Sequence, residues 1–430
     1  MPYLPRVVDE ELRLRLQSFG AVLIEGPKAC GKTSTGRQQA ASHVYLDLEP
    51  QLRELAELDP SPILGEPHER PRLIDEWQTA PAIWNHVRRA VDVAGAPGQF
   101  ILTGSATPAD DTTRHTGAGR ISRLRMRTMS LFESGDSTGE VSLGDVLAGP
   151  PPPTVSVERR DLAGWASLIA RGGWPALLDA APGEAARWVS DYIQEVCRTD
   201  IHQVDGVRRD PRRVMRVIQS LARNVATEAD TTVITKDAGV PADPSAEDPD
   251  AEGPTRPTVM RYLDALERLM LVEDQPAWVP HLRSRTRLRG KPKRHFVDPS
   301  LAVAALGASI SVLRRDVEAL GLLFESLVIR DLRVYAQRHG GEVFHYRDHN
   351  DLEVDAVVTT ASGEWAAFEV KLGTAESIEE AAGNLLRFAS SRVDTKRMGE
   401  PSRLAVVTAT DVGYVRRDGV AVIPLGALGP

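Results

Sequence analysis

The chain is 430 residues long and has only two cysteines, Cys30 and Cys197. So few exclude a disulfide framework or a cysteine-based zinc site, and they fit a reducing compartment. Long apolar runs are also missing. AVLI at 21–24 and LAVAALG at 301–307 are far too short to span a bilayer. The opening MPYLPRVVDEELRLRL has no apolar core of the kind a signal peptide needs. A soluble, cytoplasmic protein with no membrane partner is the expectation. There is no basic excess either: the formal net charge is −8, so any contact with nucleic acid must be local. No repeat of 20–50 residues is visible, which argues against a solenoid.

What is present is the balance of a soluble globular protein, 42% hydrophobic and 26% charged, in a chain long enough for two to four domains. Strands and helices alternate at first. AVLIE (21–25) reads as a buried strand with a helix from Lys32; VYLDL (44–48) and FILTGS (100–105) read as further strands. That rhythm predicts a parallel sheet with helices on its faces. GPPPP (149–153) breaks any regular element and marks a candidate boundary. From 161 to 235 the pattern is mostly helical, with Asp210-Pro211 opening one helix. Residues 240–257, VPADPSAEDPDAEGPTRP, form an acidic loop with almost no apolar content. Thr258 is then a candidate cap for a helix that buries Val259, Leu263, Leu266 and Met270 and leaves Arg261 and Arg268 off the stripe. LVEDQPAW continues it as a strand-like run. The last part places a helix, GLLFESLVIRDLRVYAQRH, before short strands at VFHYRD, LEVDAVVT, WAAFEVKL, RLAVVTA and VAVIPL, with a helix at ESIEEAAGNLLRFASS among them.

GPKACGKT (26–33) fits G-x-x-x-x-G-K-[ST] at every fixed position, with a strand leading in and a helix leading out. Gly26, Pro27, Lys28, Ala29, Cys30, Gly31, Lys32, Thr33 and Ser34 form the candidate phosphate-binding loop. Backbone N–H groups and the helix N-terminus favour phosphate. In such a loop Lys32 reaches the β- and γ-phosphates and the Thr33 hydroxyl binds Mg2+, which makes ATP with Mg2+ the expected ligand. RLIDE (72–76) supplies the acidic pair: Asp75 for the Mg2+ shell and Glu76 to polarise the attacking water, a plain surface carboxylate being the alternative for Glu76. Ser105, ending a third strand that also carries Thr103, is a candidate sensor of the γ-phosphate or the water. Arg120, in GAGRISRL, is either a charge clamp in its own or a neighbouring subunit or an ordinary surface arginine. Cys30 reads as a small filler or a redox switch.

GPKACGKTS, LIDEWQTAPAIW, FILTGS, GAGRIS, GGWPALL (172–178), KRHFVDPSLAVAALG (293–307), FES (324–326) and EVDAVV…FEVKLG together resemble a bacterial and archaeal family of AAA-type ATPases fused to a C-terminal domain of unknown function. The resemblance runs in order over nearly the whole chain. It implies an α/β multidomain fold. An AAA+-like P-loop parallel sheet is expected in 1–150. A helical, winged-helix-like part with the acidic loop is expected in 154–280. An α/β domain similar to PD-(D/E)XK nucleases is expected in 281–430. The acidic loop departs from the pattern, because negative charge just before a recognition helix repels phosphates.

Apart from any family, EVDAVV puts Glu353 and Asp355 on one strand face, and FEVKLG puts Glu369 and Lys371 on one face. Glu325 comes from the preceding helix. Clustered carboxylates raise one another's pKa unless a cation neutralises them. Mg2+ or Mn2+ held by Asp355 and Glu369 is one solution, with Lys371 beside a scissile phosphate. A salt bridge between Glu369 and Lys371 is the simpler alternative. Val354 stands where the nuclease motif has proline. HLRSRTRLRGKPKRH (281–295) has seven Lys and Arg and no acid, and reads as a phosphate-contact strip or a solvated loop.

The leading expectation is an ATP-driven or ATP-gated nuclease acting on nucleic acid, DNA before RNA, in a possible homo-oligomer. A regulator or scaffold with an inactive nuclease-like domain is the rival. A small-molecule kinase using the same loop ranks last, since no acceptor pocket is readable. If the acidic loop screens phosphates, deleting 240–256 strengthens DNA binding and steepens its salt dependence; an unchanged affinity and salt slope would remove the idea.

Overall fold

The computed structural model describes residues 2–48, 50–65, 67–104, 116–204, 206–239, 253–279, 290–350 and 352–430. The chain divides into two compact units. The first comprises 1–128 with 199–208 and 265–271; the second comprises 129–198, 209–264 and 272–430.

The first unit is built on five parallel strands: β1 (Ala21–Glu25), β2 (Ser42–Tyr45), β3 (Arg72–Asp75), β4 (Phe100–Gly104) and β5 (Ile121–Arg125). Their spatial order is β2-β3-β4-β1-β5. The apolar run of β1 serves both faces, as it must in a parallel sheet covered on two sides. Val22 and Ile24 pack with Val8, Leu12 and Leu16 of helix Val8–Ser18. Ala21 and Leu23 pack on the other side with Trp84, Val87 and Val91 of helix Ile83–Ala94. Strand β2 begins two residues earlier than VYLDL suggests and ends at Tyr45. The sheet order sets up the site: β1 lies between β4 and β5, so the loop after β1 opens beside the ends of β4 and β3.

In the second unit, β6 (Val141–Ser142) pairs with β14 (Leu428–Gly429). A seven-stranded mixed sheet runs in the order β7-β12-β13-β11-β10-β9-β8. Its strands are β7 (Val155–Ser156), β8 (Glu342–Arg347), β9 (Glu353–Thr359), β10 (Trp365–Lys371), β11 (Arg403–Thr408), β12 (Val412–Val415) and β13 (Ala421–Pro424). Helix Val317–Arg338 packs against β8, β9 and β10, and helix Ala375–Ser391 against β9, β10 and β11. The latter inserts Ile378, Ala381, Ala382, Leu385 and Phe388 into a core with Trp365, Ala367 and Val406.

The first continuous stretch of the first unit runs to Thr128. Residues 129–156 supply β6 and β7 and belong with the C-terminal strands. A proline run stops regular structure but carries no information about which distant strand its neighbours will pair with. Helix Arg256–Arg268 also starts earlier than a Thr258 cap would place it. Pro257 needs no N–H in the first turn, and Val259 N donates to Thr255 O. Val259, Leu263, Leu266 and Met270 are buried and Arg261 is exposed, as the apolar stripe requires.

Several motif residues prove to be internal struts. Arg330 donates to Asp331 Oδ1 at 2.7 Å and to Asp298 Oδ2 at 3.1 Å. Asp298 also accepts from Gly173 N and Ser300 N, and Asp331 from Leu131 N. All three charged side chains are essentially inaccessible. Burial works against the Asp298 carboxylate, yet Arg330 and the N–H donors hold it below the usual range. Removing one member leaves a buried charge without its partner. Asp298→Ala should lower unfolding free energy by about 3–5 kcal/mol in urea titrations; a loss under about 1 kcal/mol would show that this triad is not a strut.

Candidate functional site

The loop after β1 is shaped by two left-handed residues. Ala29 has φ 62° and Gly31 has φ 103°. Left-handed residues are among the conformations from which an anion nest is built. Gly26 has no alternative, since a Cβ there would sit 2.2 Å from Met126 O. Lys32 is buried and its Nζ donates to Gly26 O (3.0 Å) and Pro27 O (2.8 Å) of its own loop. Cys30 is fully buried, which fits a filler rather than a thiol open to oxidants. Arg6 braces the loop by donating to Cys30 O and Arg127 O, both at 2.9 Å. Pro27 is buried beside it, while Lys28 and Ser34 lie exposed.

Asp75, at the end of β3, is the hub. Its Oδ1 accepts from Thr33 Oγ1 at 2.8 Å and from Thr103 Oγ1 of β4. The pairing Ile74↔Leu102 puts Thr103 level with Asp75, so three elements distant in sequence meet at one carboxylate. Hard oxygens from Thr33 and Asp75 are the donor chemistry that Mg2+ takes. Glu76 follows at φ 53° and ψ 46°, an uncommon conformation for a side chain of its kind. Burial raises its pKa, with Lys32 opposing and Asp75 reinforcing the rise. Gln78 Nε2 donates to its Oε2.

Ser105 lies outside the described residues; Thr103 is the β4 side chain that meets Asp75. Arg120 is not brought to the loop. It precedes β5 at the N-terminal end of the sheet, where Ala21 N donates to its carbonyl. That is the length of β1, about 15 Å, from Gly26. Its guanidinium instead holds Asp92 at 2.8 Å. Sequence reasoning missed Asp200, which pairs with Lys28 Nζ at 2.5 Å and is buried. Nothing local marks Asp200, because it is 172 positions from its partner.

The second cluster lies in the C-terminal unit. Asp355 of β9 and Glu369 of β10 face one another across the antiparallel pair, in the register of Phe368↔Ala356. Lys371 Nζ lies 2.9 Å from Glu369 Oε2 and 3.9 Å from Asp355 Oδ2. Glu325 joins from helix Val317–Arg338. The unexpected member is Lys293. Its Nζ lies 2.7 Å from Glu325, 2.6 Å from Glu353 and 3.3 Å from Asp355. Read in sequence as part of a phosphate-contact strip, it is 2% exposed. Arg294 and His295 of that strip are also structural: Arg294 Nε donates to Ala229 O, and His295 is buried between Ser326 and Gln275, while Lys291 is exposed. Residues 281–289 lie outside the described set, as does most of the acidic loop.

Electrostatics follow from this packing. Burial and Asp355 push the Glu325 carboxyl up to about 8, with Lys293 opposing. Burial and Asp355 also raise Glu369 well above the usual range. Asp355 is lowered, because Lys293, Lys371 and Val370 N–H outweigh its burial. Burial pulls Lys293 down, but Glu325, Asp355 and Glu353 together carry it well above the ordinary lysine. A cavity of about 380 Å³ lined by Glu325, Asp355, Lys371, Thr374 and Ser377 opens beside the cluster. Among the described residues no group of three or more His, Cys, Asp or Glu is arranged to hold a metal ion. Asp355 and Glu369, expected as metal ligands, have ammonium groups for neighbours instead.

Residues 18–134 match the AAA domain model, 163–312 a domain of unknown function (DUF8612) and 320–428 another (DUF4143). The N-terminal part is thus an ATPase-type P-loop domain of the AAA class, a class that uses ATP and usually Mg2+. Uncharacterized proteins of Mycobacterium bovis and Mycobacterium tuberculosis are each 24% identical over 417 residues, covering 96% of this chain and 82% of theirs. The R170A form of Thermotoga maritima RuvB matches 63% of this chain and 89% of its own at 19% identity, with a TM-score of 0.26, too low to carry an argument. Among the described residues no helix is long and apolar enough to cross a membrane.

The raised carboxyl gives a pH prediction. Glu325 holds a proton in the folded chain up to about pH 8, whereas an unfolded glutamate releases it near about 4.3. Between those values the native state binds more protons, so stability falls as pH rises through this window. Glu369 acts in the same direction. Glu325→Gln should flatten the decline in urea titrations between about pH 5 and 8; an unaltered slope would refute the assignment.

Proposed function

We propose that this chain binds ATP with Mg2+ at Gly26–Ser34 and hydrolyses it in the cytoplasm, and that the hydrolysis controls a nuclease-like C-terminal unit that engages nucleic acid, DNA before RNA. The meeting of Thr33, Asp75 and Thr103 at the mouth of the loop carries the ATPase reading. Loop N–H groups cradle the phosphates. Lys32 exchanges its contacts with Gly26 O and Pro27 O for β- and γ-phosphate oxygens. Thr33 and Asp75 hold Mg2+, which supplies charge neutralisation on the phosphates. Glu76, with its raised pKa, polarises the attacking water. Thr103 orients Asp75, and Ser105 senses the γ-phosphate or the attacking water. Arg120 serves catalysis only if a second copy offers it to this loop.

Two observations support the nucleic-acid reading. Helices Pro211–Arg223, Thr231–Ala238 and Arg256–Arg268 are followed by antiparallel bridges Val272↔Phe296 and Gln275↔Lys293, the element order of a winged helix. Arg256 and Arg261 are exposed on the third helix. Helix Val317–Arg338 with β8 to β10 then frames carboxylates and a lysine in the order of PD-(D/E)XK nucleases. The contacts of Lys293 favour the rival reading for cutting itself: a DNA-binding regulator or scaffold whose nuclease-like site is silent.

Lys32→Ala should abolish nucleotide binding, and Glu76→Gln should keep binding while lowering turnover by about 10²-fold or more. Unchanged hydrolysis in both would sink the ATPase assignment. Cleavage of DNA or RNA with Mg2+ or Mn2+, with and without ATP, decides between nuclease and regulator: loss on Asp355→Ala establishes the nuclease, and absence of any cutting leaves the regulator.

A further inference from the structure

We infer that Lys293 is the resident cation of the C-terminal carboxylate cluster, and that its ammonium keeps a divalent metal out of the place between Glu325, Glu353 and Asp355. This rests on the nuclease-like reading of that cluster and assigns its regulation.

Three oxygens from two elements converge on Lys293 Nζ within 3.3 Å: Glu325 Oε1 from the helix, and Glu353 Oε1 and Asp355 Oδ1 from one face of β9. Oxygens converging on one point are what a hard cation requires, and here the point is taken. A divalent ion bound by the same oxygens would stand in contact with the ammonium, and like charges at that distance repel. Burial alone does not exclude the metal. The cavity beside the cluster reaches Glu325 and Asp355, and the Glu353 side chain is 36% exposed. The obstacle is Lys293 itself.

Its position is also built in. Lys293 N donates to Gln275 O and Gln275 N to Lys293 O, at 3.0 and 2.9 Å. Gln275 Nε2 then donates to Phe344 O of β8 and Asp355 O of β9. On the next residue, Arg294 N donates to Thr227 O. The lysine is therefore tied to the strands whose carboxylates it neutralises. The tie runs through bridges at 275 and 293, the same pairing that follows the three-helix segment. Removing the ammonium by substitution of Lys293 opens the place to Mg2+ or Mn2+.

The test is Mn2+ uptake by nucleotide-free, chelator-stripped protein, read from the paramagnetic resonance signal of free Mn2+. Wild type and Asp355→Asn should give the same curve. Lys293→Met should bind one further Mn2+, about tenfold or more tighter than anything in wild type, and lose it when Asp355→Asn is added. Its melting temperature should fall in chelator and recover with Mn2+. Two results would overturn the inference: a wild-type Mn2+ that Asp355→Asn removes, or a folded Lys293→Met that binds no more than wild type. If Lys293→Met does not fold, the wild-type and Asp355→Asn pair decides alone. Cleavage assayed in parallel separates the two readings. A Lys293→Met protein that takes Mn2+ and cuts nothing upholds the role of Lys293 and counts against the nuclease.

Discussion

A carboxylate taken out of water must find a positive charge or a set of hydrogen-bond donors, and this chain meets that demand differently in each place. Asp75 accepts from two threonine hydroxyls, a neutral arrangement. Asp298 and Asp331 share Arg330 and lie sealed in the second unit. Asp355 faces Lys293 and Lys371. Among the described residues the hub is met by hydroxyls, the triad by an arginine and the C-terminal cluster by two lysines.

This reading changes the relation between the two functional ends. In the loop at Gly26–Thr33, Ala29 and Gly31 take left-handed conformations and Lys32 donates to two carbonyls of its own loop. The C-terminal cluster already has its cation. The AAA match supports use of ATP by the N-terminal part, whereas the C-terminal carboxylates are filled by an ammonium group.

Much was legible beforehand. The loop motif, the acidic pair at Asp75 and Glu76, and the pairing of Glu369 with Lys371 are local patterns, and local patterns are set by residues near in sequence. The strand run AVLIE and the apolar stripe from Val259 to Met270 follow from periodicity. The rest was not legible, for one reason. The burial of Lys293 among carboxylates, the pairing of residues 129–156 with the C-terminal strands and the distance of Arg120 from the loop are all long-range outcomes. Each depends on which strands become neighbours, and composition does not encode that.

By itself the amino-acid order determined that a P-loop motif follows a strand and opens a helix, and which carboxylates crowd the C-terminal strands. Those outcomes need only backbone geometry and side-chain chemistry over a few positions. Only tertiary structure decided that Thr103 meets Asp75, that Arg120 sits a strand's length from the loop, and that Lys293 supplies the charge the carboxylates lacked. The physical reason is that neutralising a buried charge depends on distance in space, and Lys293 lies 32 and 62 positions from the acids Glu325 and Asp355 that it serves.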